Sequence, residues 1–124
     1  MRFSRDLFEK LAEEALAEIP RRFCGLLTNL EIAVKSAPGR EAGRWQGSRT
    51  LLGLYTGLKR EEMRSPLSGT HLPARILLYQ RNIEALCGSQ KDLARQIRLT
   101  LRHEIAHHFG FSEAKLRKAW PEGA

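Results

Sequence analysis

Apolar residues recur at three- and four-residue spacing through Leu7, Phe8, Leu11, Ala15, Leu16 and Ile19, which predicts an amphipathic helix over residues 4–19. Ser4 offers a capping hydroxyl at its start, and Pro20 ends it. Residues 21–27 read as a short further helical turn. From Leu30 the period changes to two: Leu30, Ile32 and Val34 point one way, Glu31 and Lys35 the other, as in a strand with one buried face. Residues 38–49 hold three glycines, a proline and several charges, and predict a loop. Residues 50–56, TLLGLYT, predict a second strand with a glycine inside it. Residues 58–73 form a second polar loop, punctuated by Pro66, Gly69 and Pro73. Residues 75–80, RILLYQ, are a continuous apolar run of strand length, which predicts a third strand buried on both faces. Ser89 then opens a helix, with Asp92 standing where a capping box usually has Glu or Gln. Leu93, Ile97, Leu101 and Ile105 repeat every fourth residue along it, and Gly110 stops it after Phe109. Residues 113–119 suit one last short helix. The order of helix, strands and helix predicts a small α+β domain.

Length and composition narrow this picture. The chain has 124 residues, enough for one domain and too few for two, so residues 1–124 are read as a single unit. No apolar run approaches the roughly 20 residues that span a bilayer. The first twenty residues mix charges with apolar positions and lack the unbroken apolar stretch of a signal peptide, so a cytoplasmic location is expected. Cys24 and Cys87 form no Cys-x-x-Cys pair and are expected to be reduced, buried thiols. The net charge is +7, but no block of five or six like charges occurs, so solvated surface charge is the first expectation.

The chemistry concentrates in HEIAHHFGFSE, residues 103–113. His103 and His107 are four apart on a helix, so both side chains lie on one face with Cβ atoms about 5–6 Å apart. That spacing suits two imidazoles on one zinc ion. Glu104 is rotated off the ligand face. It cannot easily join the ion, but it can reach a water bound there as a general base. A catalytic zinc usually takes a third protein ligand and keeps one position for water. Gly110 can turn the chain back, and three residues later Glu113 can supply that carboxylate across roughly 10 Å. The stripe of Ile97, Leu101 and Ile105 lies on a different face, so the histidines can face a cleft while the helix back packs on the core. The competing reading is an ordinary helix end. Histidines near a helix C-terminus also complement the macrodipole, and Glu104 with His108 could be a surface pair. His108 is rotated away from His103 and His107 and reads as a neighbour of the site. His71 lies in a loop, where a surface histidine is the plainer reading.

With these residues, the chain resembles the small bacterial zinc-dependent metalloproteases that have a minimal zincin-like fold. The resemblance rests on the N-terminal helix ending in EIP, on LLGLYTG (51–57), on RILLYQ (75–80) and above all on HEIAHHFGFSE. That family usually carries Asp where this chain has Glu113. The resemblance implies a single zincin-like domain with a small mixed sheet packed against the N-terminal helix and the HExxH helix. It also implies a Zn2+ cofactor held by His103, His107 and Glu113, and peptide or protein substrates; TLLGLYT is the candidate for a strand near the cleft, an ordinary sheet strand being its plainer reading. After Gly110 only 14 residues remain, so no C-terminal subdomain is expected to wall the cleft. Neither Met1 nor Met63 follows the motif, which excludes a Met-turn. Stabilisation of an oxyanion would fall to Tyr55, Tyr79 or His71, upstream of the motif, or to no side chain at all.

The function expected is therefore zinc-dependent hydrolysis of peptide bonds, with Glu104 as the base. Two alternatives stay open. One is a zinc-dependent RNA hydrolase, for which Arg95, Arg98 and Arg102 at helical spacing would meet the backbone; the plainer reading of that stripe is a solvated face. Nucleic acid is thus the weaker candidate partner. The other is a non-catalytic, zinc-stabilised interaction module. No membrane partner is expected.

Overall fold

The structure, a computed structural model, describes residues 2–19, 30–56 and 74–109. Its centre is a three-stranded mixed sheet. Strand β1 (Leu30–Lys35) pairs in parallel with β3 (Ala74–Tyr79), and β2 (Gly53–Thr56) pairs antiparallel with the other edge of β3. The order β1-β3-β2 makes the most apolar strand the middle one. Ile76, Leu77, Leu78 and Tyr79 are all buried, so the expected burial on both faces is found. Ile76 and Leu78 point into the main core, and alternation sends Leu77 and Tyr79 to the opposite face.

Two helices cover the first face and also pack on each other: α1 (Arg5–Ala17) and α3 (Gln90–Phe109). Phe8, Ala12 and Ala15 of α1 meet Leu93, Ile97, Leu101 and Ile105 of α3 in one cluster with Ile76, Leu78 and Tyr55. Each large aliphatic or aromatic side chain fully buried there contributes about 1.5–3 kcal/mol. Both helices start as their sequences direct. Leu7 N–H donates to Ser4 Oγ at 3.1 Å, and Asp92 N–H donates to Ser89 Oγ at 3.1 Å. The Asp92 carboxylate reaches back to Gly88 N–H at 3.1 Å, one residue before the capping serine. The shorter arm of Asp thus completes a box shifted by one residue.

Three features depart from the sequence expectation. Strand β3 ends at Tyr79, and Gln80 opens a five-residue helix, α2 (Gln80–Glu84). Its polar residues Gln80, Asn82 and Glu84 are buried because each has partners. Gln80 Nε2 donates to Phe3 O and to Glu84, whose carboxylate also accepts from Phe3 N–H. Arg5 extends this network, donating to Gln80 Oε1, Val34 O and Ser36 Oγ. Second, the loop over 38–49 contains a 3-10 helix, Arg40–Trp45, kinked at Gly43, where φ is 56°. Third, β2 starts at Gly53, although Leu52 O still accepts from Tyr79 N–H at 2.9 Å. Cys87 is a buried, free thiol whose pKa is raised, chiefly by burial. Cys24, the helical turns expected at 21–27 and 113–119, and the loop at 58–73 lie outside the described residues. Among the described residues no helix is long and apolar enough to cross a membrane.

Candidate active site

Helix α3 presents two faces. Leu93, Ile97, Leu101 and Ile105 are wholly buried against the sheet and α1. His103 is exposed and Glu104 half-buried, and both line a cleft of about 400 Å³ between α3 and the chain entering β2. Thr50, Leu51, Leu52 and Gly53 form the other wall, while Gln96, Leu99 and Thr100 continue the helical wall. The cleft falls within the ~300–1,000 Å³ usual for ligand sites. The sequence expectation is that His103 and His107 face a cleft with the helix back in the core; the helix back is in the core and His103 lines the cleft, while the side chain of His107 lies outside the described residues.

The distance between the walls is set at Gly53. A Cβ there would lie 2.9 Å from Thr100 Cγ2, 3.2 Å from Leu77 O and 3.6 Å from Glu104 Cγ. Thr100 turns its methyl to the strand because its hydroxyl donates to Gln96 O at 2.9 Å, one helical turn back. Strand and helix therefore approach as closely as a residue without a side chain permits, right beside Glu104. Sequence reading registered a glycine in this strand without drawing the consequence. An isolated strand glycine is the signal for such an approach.

Among the described residues β2 is an edge strand, with a defined hydrogen-bonding direction. Leu52 is bonded to Tyr79, so alternation along the antiparallel pair turns Leu54 and Thr56 to β3. The N–H and C=O of Gly53 and Tyr55 are directed the other way. Asn82 holds the approach to the strand by donating to Ser48 O at 2.9 Å and Leu51 O at 2.7 Å.

Tyr79 is not placed to stabilise an oxyanion. It is completely buried, and its hydroxyl donates to Glu41 at 2.9 Å. Burial, then the hydrogen bond and charge of Glu41, and last the charge of Glu104, push its pKa well up. Glu41 also accepts from Lys35 Nζ at 2.8 Å and from Gly39 N–H at 2.7 Å, and these bonds hold its carboxyl down at about 2. Tyr55 is buried in the main core. His71 lies outside the described residues.

Neither reading of the arginine stripe on α3 holds. Arg95 is exposed, but Arg98 is largely covered and pairs with Glu18 of α1 at 3.8 Å, and Arg102 is buried at 5% exposure. Arg98 is covered beside Glu18 and Arg102 is buried along the cleft wall, so the three do not form one solvated face or one exposed track for a phosphate backbone.

His107 follows His103 within the same unbroken helix; its side chain, like that of His108, and all of Gly110 and Glu113 lie outside the described residues. Among the described residues no three His, Cys, Asp or Glu side chains stand together as a metal site. No curated protein matches the chain. The model of one family, the zincin-like metallopeptidases, matches residues 27–121, which takes in the sheet, the cleft and the whole histidine motif. The chain belongs to the zincin-like metallopeptidase family.

Proposed function

We propose that the chain is a zinc-dependent peptidase in which Glu104 is the general base and His103, His107 and Glu113 hold the metal. The observation that carries this is the shared cleft: His103 and Glu104 open on one side, with the edge of β2 opposite. The donor set suits zinc. One unbroken helical run carries His103 and His107 at i and i+4, and in the sequence Glu113 follows three residues after Gly110. When bound, zinc acidifies water and polarises the scissile carbonyl.

The chain's own residues do the rest. An extended peptide lies along the cleft wall of Thr50, Leu51, Leu52 and Gly53, where the main-chain groups of Gly53 face away from β3. Leu51, Leu52 and Leu99 receive an apolar side chain of that peptide. Glu104, half-buried beside the strand, takes the proton from the attacking water and passes it to the leaving amine. The Gly53–Thr100 contact fixes how far the bound backbone stands from that carboxylate.

The test pairs metal analysis with turnover on a library of short peptides. Wild-type protein carries about one zinc per chain, and His103→Ala loses it. Glu104→Gln keeps the zinc and loses at least about 100-fold in kcat. Equal turnover by Glu104→Gln, or failure of the wild type to bind zinc, refutes the reading.

A further inference from the structure

Residues 40–49, in the connection between β1 and β2, present a second surface, and none of them lines the cleft. Trp45, at the end of the 3-10 helix, is 47% exposed, and among the described residues only Leu86 is another exposed large apolar side chain. The Arg44 guanidinium lies over its ring, 5.0 Å from the centroid. Arg40, Arg44 and Arg49 are all exposed, and among the described residues no carboxylate pairs with them. The one acid of this connection, Glu41, points inward to Lys35 and Tyr79. Indole and arginines therefore face solvent with no negative charge of their own segment to cancel them.

The surface is held rather than loose. Gly47 N–H donates to Pro38 O at 2.9 Å and closes the base of the loop. Gly43 and Gly47 take φ values of 56° and 77°, which a side chain would strain. Tyr79 ties the 3-10 helix to the sheet, and Asn82 ties Ser48 and Leu51. An aromatic ring fixed in this way loses little entropy when a ligand stacks on it.

We propose that the Trp45 loop binds single-stranded nucleic acid, by stacking one base on the indole and holding phosphates with Arg40, Arg44 and Arg49. The composition of the patch selects this partner. An acidic peptide would use the arginines but not the flat indole. A lipid surface would want several apolar side chains, and Trp45 is flanked by Arg44, Gln46, Gly47 and Ser48. A nucleic-acid strand offers both a π face and a regularly charged backbone. The inference is independent of the peptidase reading: it needs neither zinc nor Glu104.

The full chain is titrated into labelled oligo(dT) of about 12 nucleotides, a length that covers one small binding site, and anisotropy is read from low to moderate salt. Trp45→Ala should weaken binding about ten-fold, and Trp45→Phe should keep most of it, because a ring remains to stack. Arg40→Gln and Arg44→Gln should each flatten the log–log salt dependence by about 0.7, the share of one phosphate on a single strand. Unlabelled polyglutamate and anionic vesicles serve as competitors and should displace the strand poorly. The proposal is overturned if the wild type does not bind at low salt or if Trp45→Ala binds as well as the wild type. Competition by polyglutamate or vesicles as effective as by oligo(dT) overturns it too.

Discussion

Gly53→Ala tests the close approach of β2 to α3. Gly53 has no positive φ, so alanine adds no backbone strain and the effect isolates the contact. The new methyl would sit 2.9 Å from Thr100 Cγ2 and 3.2 Å from Leu77 O, where ordinary carbon contacts begin near 3.4 Å. Strand and helix must separate by several tenths of an ångström. Overpacking of this kind costs about 1–3 kcal/mol. The smaller entropy of an unfolded chain bearing alanine returns about 0.4–1 kcal/mol, leaving a net loss of about 1–2 kcal/mol. For a domain of this size that is a fall in Tm of roughly 4–8 °C. Thr100→Ser removes the offending methyl and keeps the bond from the hydroxyl to Gln96 O. The double variant should therefore be more stable than the sum of the two single changes predicts, by about 1 kcal/mol. Thermal and urea unfolding of the four proteins gives this coupling directly. Strict additivity would refute the close approach. Turnover supplies a second readout: Glu104 Cγ lies 3.6 Å from the same position, so Gly53→Ala should lower kcat with zinc content unchanged, and Thr100→Ser should restore part of it.

The Glu41 hub makes stability depend on acid. Its folded pKa of about 2 lies below the ordinary 4.5, so its contribution is complete above about pH 4.5 and disappears as the pH falls toward 2. Water around half-exposed Lys35 trims that contribution to about 2 kcal/mol, and Glu41→Gln should flatten the urea midpoint between pH 5 and pH 2.5; an unchanged slope would refute the hub. Tyr79→Phe should cost about 1–2 kcal/mol by leaving Glu41 one donor short, while peptide turnover stays at the wild-type level. A selective loss of turnover in that variant would restore Tyr79 as an oxyanion donor. Ile97→Ala, in the fully buried centre of α3, should cost about 2–5 kcal/mol in urea unfolding, and a cost under 1 kcal/mol would contradict the packing of α3 on the sheet.

Periodicity made the apolar framework legible. The four-residue stripe of α3 is buried residue for residue, and the helix caps at Ser4 and Ser89 act as their types suggest. The run RILLY, 75–79, became most of the central strand, whose neighbours on both sides let it bury four successive residues. The pattern failed where polar residues are buried. Gln80, Asn82 and Glu84 look like surface residues until their partners are known, and those partners are up to 81 positions away. No local window contains that information. The glycine in TLLGLYT was visible, but the residue it approaches, Thr100, is 47 positions on.

The charges show the same limit in its sharpest form. A net charge of +7 and a regular arginine stripe point, as sequence, to α3. Folding splits that stripe: Arg98 meets Glu18 just after α1, and Arg102 is buried along the cleft wall. In the segment before β2 the opposite happens. Its arginines look scattered and are interrupted by an acid, yet Glu41 turns inward and leaves Arg40, Arg44 and Arg49 outside with Trp45. What decides the field around a protein is which charges the fold engages internally, not how they are spaced along the chain. An ion pair inside contributes to the stability of α1 and the sheet; only those left outside can meet a partner. Among the described residues the outward positive surface with an aromatic ring is therefore the Trp45 loop, and an anionic partner held there should respond to substitutions at Arg44 before those at Arg98.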